Sequence, residues 1–387
     1  MILVLRFGPL DQQMGLSNPS EPLSFLERKV QIFTREDSFF IKIDIMDGDI
    51  FFGLGEQPSG LIRNRGRFSL YNSSSWDYND VRQSIYSSFP FLLCIGESGC
   101  YGLLLNMPGK VNFDLGVEEY DKVIVSFAKS PFELFLFSGT PSEISERLTE
   151  ITGRPFELPD WALGHQVSRF TYFPQSSVTE IIEDYTKEFP VSALYLDIDY
   201  MNGYRIFTWD RERFPDPEAL LDFCSKRGIY IVPIIDPGVR ADQGYDVFKK
   251  FIGNAIEDSE GNLYFDRVWP GTCIFPDFLR SSARQIWGDL IKSFYRPGMG
   301  GIWLDMSEPS MHRTRDAGGF GNNIDPAAVH TLDNGIKVRN SQVHNLYAYY
   351  EAMTTYEALK GVMDKPFILT RAGYPGIQKT CGHMDRR

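Results

Sequence analysis

The chain is 387 residues long, room for two domains or for one large barrel with an attachment. Hydrophobic residues make up 43%, enough to bury a real core, and the 14% of aromatics suits both that core and a ring-lined pocket for a sugar or another flat-faced ligand. A formal net charge of -12 argues against nucleic acid and anionic membranes as partners and for a neutral, soluble substrate.

Residues 1–153 read as β structure and form the first predicted domain. Ser38–Met46 alternates apolar and polar residues. Two apolar runs, Phe89–Ile95 and Gly102–Asn106, are split by the hairpin signal Gly96-Glu97-Ser98-Gly99. Val123–Phe127 and Phe132–Phe137 follow around Ser130-Pro131, and short strands at this spacing predict a β-sandwich. A helix-like stretch, Glu143–Ile151, leads to a boundary at Gly153-Arg154-Pro155.

Residues 154–387 change character and form the second predicted domain. Apolar strands at Leu163–Val167, Val191–Ile198, Ile229–Ile235, Gly301–Leu304 and Pro366–Thr370 alternate with amphipathic helices. Those helices are read at 177–189, opened by a capping box at Ser177-Val178-Thr179-Glu180, and at 216–227, 283–294 and 351–359. Repeated β-α-β units with buried strands mean a parallel sheet. Five strands are legible where a closed barrel needs eight.

The acids at the strand ends carry the chemistry. One strand runs into Asp197 and Asp199, the next into Asp236, and the next into Asp305 with Glu308 one turn on. In a (β/α)8 barrel these ends share one mouth, where the active site lies. Carboxylates there, beside aromatics, suggest glycoside chemistry. A single Asp after a strand is commonly only a cap or turn residue; three in succession weigh against that. Arg371 follows an apolar strand, as a substrate-binding Arg would, although a surface place also fits. Trp269 and Trp303 suit core as readily as pocket.

Five scattered cysteines without a C-x-x-C, and dispersed histidines, argue against a metal site and for a reducing compartment. No cofactor is expected. His165, His312, His330 and His344 have no partner pattern and are read as structural or surface residues. The N-terminus lacks a basic segment followed by a long apolar stretch, so no signal peptide and no membrane span is expected, and the location read from this is cytoplasmic.

These residues fall inside longer motifs. Gly301-Ile302-Trp303-Leu304-Asp305-Met306-Ser307-Glu308-Pro309 resembles the W-x-D-M-N-E signature of glycoside hydrolase family 31. Leu196-Asp197-Ile198-Asp199-Tyr200-Met201-Asn202 is similar to its D-I-D-Y-M-D motif. Val268-Trp269-Pro270-Gly271, Thr370-Arg371-Ala372-Gly373-Tyr374, Gly53-Leu54-Gly55-Glu56 and Phe113-Asp114-Leu115-Gly116 match in order and spacing. The resemblance covers nearly the whole chain and is nearest to archaeal-type α-glucosidases.

The resemblance implies an N-terminal β-sandwich followed by a (β/α)8 TIM barrel that is incomplete here. It also implies a retaining α-glucosidase that releases terminal α-linked glucose from maltose and malto-oligosaccharides. Asp305 would be the nucleophile, with Glu308 behind it as its support. Asp197 and Arg371 would bond the sugar hydroxyls, with Arg371 also helping to keep Asp305 ionised. Ile198, Asp236, Trp269, Trp303 and Met306 would line the same pocket. Ser307 stands where the family has Asn, and Asn202 where it usually has Asp. The strand-two motif differs from that of the family's α-xylosidases. An α-xylosidase or transglycosidase remains the related alternative, and a catalytically dead or carbohydrate-binding fragment the alternative of another class.

In the family the acid/base Asp closes a W-x-G-D motif sixteen residues after that Arg, which in this chain is Arg387. Asp385 is two positions off. Codons for Met384-Asp385 read one base later contain a Trp codon, so an interrupted reading frame is the expected cause. The expected partners are then an α-glucoside substrate and either the product of a downstream frame or, at full length, a second copy of the chain.

Overall fold

Alternating side chains lay down two antiparallel sheets in the N-terminal part of the chain. The structure, a computed structural model, describes residues 2–7, 23–74, 85–311 and 323–384. One sheet orders Ile2–Phe7, Phe132–Ser138, Gly99–Asn106, Phe91–Gly96 and Ile50–Gly53. The other orders Leu23–Phe25, Arg28–Arg35, Ser38–Asp44, Lys122–Ala128, Val111–Leu115 and Arg67–Leu70. Ile41, Ile43 and Val125 of the second sheet share one apolar core with Leu103, Leu134 and Leu136 of the first. The expected hairpin is present, with Gly96 opposite Gly99 around Glu97-Ser98, and Gly99 takes the left-handed φ of 113° that favours glycine. Phe132–Ser138 is buried on both faces, because Phe135 and Phe137 pack outward beneath Ile144 of the helix Pro141–Thr152. Thr140 and Glu143 cap that helix reciprocally.

A buried ion pair joins the two sheets. Arg28 Nη2 donates to Asp49 Oδ1 at 2.7 Å, with neither side chain exposed, and Asp49 Oδ2 accepts from the Met46 amide at 2.9 Å. The guanidinium lies 5.1 Å from the Tyr101 ring centre. Two later segments, Arg339–Leu346 and Gly373–Gly376, belong to this same unit. His344 Nε2 donates to the Asn72 carbonyl at 2.7 Å, and its ring stacks on Tyr71. Asn72 Nδ2 donates to the Gly373 carbonyl at 3.2 Å, and Tyr374 hydroxyl to Asn106 Oδ1 at 3.1 Å.

The second unit comprises Pro155–Val338, Tyr347–Ala372 and Ile377–Arg387. It is built on a parallel sheet whose strands we number β1 His165–Val167, β2 Val191–Leu196, β3 Tyr230–Ile235, β4 Gly301–Leu304, β5 Phe367–Thr370 and β6 Gly382–His383, paired in that order. Near-continuous apolar runs bury β2, β3 and β4 on both faces, as a sheet covered by helices requires. The helices are α1 Gln175–Glu188, α2 Pro217–Ser225, α3 Ser281–Phe294 and α4 Tyr347–Lys360. A three-stranded antiparallel insertion, Val239–Arg240, Asp266–Val268 and Gly271–Ile274, lies between β3 and α3.

Three sequence readings change. The capping box at Ser177 does not open α1. The helix starts at Gln175 after Pro174, and the Gln175 amide is already taken by the Arg213 carbonyl at 2.9 Å, so Ser177 falls within the first turn. The strands of the parallel sheet are six among the described residues rather than the five read from the sequence, because β6 adds along β5. His330 is buried with its Nδ1 2.8 Å from Asp277, and His344 is buried and bonded as above, so the choice between structural and surface narrows to structural for both. His312 and the terminal Asp385-Arg386-Arg387 lie outside the described residues.

β4 and β5 approach closely at their N-terminal ends. A Cβ added to Gly301 would lie 1.8 Å from the Phe367 carbonyl oxygen, so only glycine fits there. No helix among the described residues is long and apolar enough to cross a membrane.

Candidate active site

Four successive strands of the parallel sheet end in a charged residue: β2 in Asp197, β3 in Asp236, β4 in Asp305 and β5 in Arg371. Each strand delivers its last side chain to the same end of the sheet, as parallel pairing dictates. The Asp305 amide donates to the Ile235 carbonyl at 3.3 Å, which holds the β4 end against β3.

The chain turns sharply after Asp305. Met306 takes a left-handed φ of 58°, a conformation that costs a non-glycine residue energy. That turn presents Glu308 to Arg371. Nε donates to Glu308 Oε1 at 2.7 Å and Nη2 to Oε2 at 2.8 Å, a fork matched to a carboxylate. Nη1 lies 3.2 Å from Asp305 Oδ1, and Nη2 lies 3.2 Å from the Met306 sulfur. Ser310 Oγ donates to Glu308 Oε2 at 2.6 Å. Arg371, Asp305 and Glu308 are all buried. Arg371 thus joins Asp305 to Glu308, and its guanidinium is largely occupied by these two carboxylates.

The charges divide. Burial pushes the Glu308 carboxyl up, but the charge and hydrogen bonds of Arg371, with the Ser310 hydroxyl, outweigh it and hold the group below the ordinary range. Asp236 has the opposite fate. Burial raises its carboxyl well above the ordinary range, and the neighbouring Asp305 and Asp197 raise it further, while Arg371 opposes them.

The remaining sequence-selected residues sit around this group. Asp197 Oδ1 accepts from the Ile198 amide at 2.8 Å and caps the short turn Ile198–Tyr200, so its capping role is real and leaves its second oxygen outside that bond. Ile198 and Met306 are buried. Trp303 is buried on β4, edge-on to Tyr195. Trp269 stands partly exposed at the turn between Asp266–Val268 and Gly271–Ile274. Asp199, the other acid after β2, is bonded by Arg213 at 2.8 Å and by the Tyr204 hydroxyl at 3.3 Å.

Two further residues adjoin the group: Ser307, noted in the sequence only as a departure from the family motif, and Glu351, which was not picked out there. Ser307 is fully buried, and its Oγ donates to the Asp305 carbonyl at 3.2 Å. Glu351 of α4 is fully buried, and its carboxyl faces Ser307, Glu308 and Asp305. Its signal was available. Glu351 falls in phase with Tyr347, Ala348, Ala352, Thr355 and Leu359, the stripe that α4 turns to the core.

Residues 155–384 match the glycosyl hydrolases family 31 TIM-barrel domain, and residues 17–114 match the family's N-terminal galactose mutarotase-like domain. The chain belongs to glycosyl hydrolase family 31. Its family 31 relatives include the alpha-glucosidase of Saccharolobus solfataricus, 35% identical over 96% of this chain and 55% of that protein. Alpha-glucosidase 2 of Bacillus thermoamyloliquefaciens is 34% identical over 86% of this chain and 42% of that protein. The chain therefore spans about half the length of the curated relatives it matches. Among solved structures, a family 31 alpha-glucosidase from Bacteroides thetaiotaomicron superposes with a TM-score of 0.74 at 30% identity, over 88% of this chain and 55% of that one. A family 31 dextranase from Flavobacterium johnsoniae shares the fold, with a TM-score of 0.79 at 23% identity over 90% of this chain and 42% of that one. The family fold is thus a sheet-rich N-terminal domain followed by barrel wall, in the order expected from the sequence.

The raised Asp236 carboxyl makes a testable prediction about stability. A carboxyl lifted in the folded state favours folding below its unfolded value and loses that contribution as pH rises towards its folded value. Asp236→Asn removes the ionisable group. Unfolding in urea should show the variant more stable than the parent by about 1–2 kcal/mol near pH 8, with the difference vanishing towards pH 4. A variant less stable than the parent at pH 8 would mean that Asp236 is well solvated there.

Proposed function

We propose that this chain carries the nucleophile half of a retaining α-glucosidase acting on the terminal glucose of maltose and malto-oligosaccharides. Asp305 attacks the anomeric carbon, the glycosidic bond breaks, and a covalent glycosyl-enzyme forms on its carboxylate. The observation that carries this reading is the buried Asp305 carboxylate at a strand end, fixed by Arg371, which Glu308 in turn grips with both oxygens. Asp197 and Arg371 are assigned to the sugar hydroxyls, and Asp236 to the lining of the same pocket. Ile198, Trp269, Trp303 and Met306 are assigned to the walls of the pocket. Two relatives above 30% identity are named alpha-glucosidases, which supports the substrate class. The cytoplasm is the proposed location, in keeping with five cysteines that are all unpaired.

The test uses a substrate whose leaving group needs no proton. An α-glucosyl fluoride carrying a second fluorine at ring carbon 5 should react with the chain and leave a stable glycosyl adduct. Peptide mass spectrometry should place that adduct on Asp305, and Asp305→Asn should remain unlabelled. An adduct on a different carboxylate, or equal labelling of the Asn variant, would remove Asp305 from this role.

A further inference from the structure

Asp236, Asp305, Glu308 and Glu351 bury four carboxyls in one region, and Arg371 is the one buried cation of the second unit among the described residues. Arg371 serves Asp305 and Glu308. Glu351 therefore lies fully buried without a cation of its own, and neither of its oxygens receives a well-formed hydrogen bond. An ionised carboxylate in such a place is costly.

Hydrogen-bond accounting identifies what it does there. Ser307 lies against the Glu351 carboxyl. A serine hydroxyl has one proton, and Ser307 directs it to the Asp305 carbonyl. The Ser307 oxygen that faces Glu351 can then only accept. Two acceptors would repel each other, whereas a carboxylic acid supplies the missing donor.

We propose that Glu351 is a positioning residue for Asp305, a buried carboxylic acid whose proton is donated to Ser307 Oγ while Ser307 in turn donates to the Asp305 carbonyl. The relay stiffens the turn that contains the left-handed Met306. It rests on the reading of Asp305 as nucleophile only for its effect on reaction. The surroundings agree with a retained proton. Burial pushes the Glu351 carboxyl well above the ordinary glutamate range, and the charges of Glu308 and Asp305 add to the rise. Tyr347, one turn earlier on α4, faces Glu351 with another buried hydroxyl, and Asp236 faces it from the end of β3.

Two measurements test the proposal. In infrared spectra at neutral pH, Glu351→Gln should lose a protonated-carboxyl C=O band that the parent shows. Loss of a carboxylate band instead, or no loss of the protonated one, overturns the proposal. In labelling by the fluorinated glucosyl fluoride, Glu351→Gln should stay within about threefold of the parent, because its amide donates where the acid did. Glu351→Leu and Ser307→Ala should each fall about 10²-fold through misplacement of Asp305, and the double variant no further. A Gln variant as slow as the Leu variant, or a Leu variant as fast as the parent, overturns the relay. If the parent itself is not labelled, the nucleophile reading fails, and the infrared comparison alone decides Glu351. It also decides should the Leu variant not fold.

Discussion

Arg371→Met should destabilise the protein by about 3–5 kcal/mol at neutral pH, the usual cost of stranding buried charge by removing one partner. The substitution keeps length and apolar volume but leaves Glu308 with Ser310 and no cation, and leaves Asp305 without its counter-charge. In the parent, the depressed Glu308 carboxyl contributes stability above the ordinary glutamate range, lost as pH falls through the folded value. In the variant the pull of Arg371 is gone and burial is opposed mainly by the Ser310 hydroxyl, so Glu308 should hold a proton further up the pH scale. The gap between parent and variant should therefore be widest near pH 7 and should close in acid, where Glu308 is neutral in both. Adding Glu308→Gln to Arg371→Met should recover a good part of the loss. Urea melts across this range provide the check, and an equal gap at every pH would show that Glu308 is not the stranded charge.

Arg28→Met should act on the N-terminal sandwich with a similar cost of about 3–5 kcal/mol. The Asp49 carboxylate would keep its bond from the Met46 amide but lose the guanidinium, in a place where its side chain has no exposure to solvent. The Tyr101 ring would lose the cation facing it. Pairing the change with Asp49→Leu removes both charges, and that double variant should be more stable than Arg28→Met alone. Hydrogen exchange on peptides from Arg28–Arg35 and Ile50–Gly53 would report the loss locally. If protection there is unchanged, the pair is dispensable to the sheet contact.

The sequence disclosed those parts of the structure that depend on local pattern. β4 runs over just the residues expected, because four apolar residues between Gly300 and Asp305 admit no other reading. The end of β3 follows from the same logic, whereas β2 stops at Leu196, short of the Ile198 expected, because Asp197 caps the turn that follows. What escaped depends on distant partners. β6 is two residues long and has no period to detect; it is a strand only because β5 is there to pair with it. Arg28–Arg35 looks polar at both ends, and its first residue is buried by an acid 21 positions away. Within the site, the acids at strand ends were legible one by one. Their division into an ionised group and two raised carboxyls was not, since it turns on the side to which a single guanidinium reaches. The segments Arg339–Leu346 and Gly373–Gly376 gave no sign that they belong to the first unit, because the link runs through carbonyls of Asn72 and Gly373 rather than through side-chain pattern.

The absence of a side chain at Gly301 also governs where Asp305 arrives. Were β4 to slide along β5 so that Ile302 took the place of Gly301, its side chain would meet the Phe367 carbonyl, and no other residue of the strand fits that gap. The same slip would carry Asp305 about 3.3 Å along the sheet and turn it to the opposite face. One hydrogen atom at the bottom of the strand thus serves as the alignment mark for a carboxylate four residues above it, and an error there would appear as a misplaced Asp305 on an intact sheet.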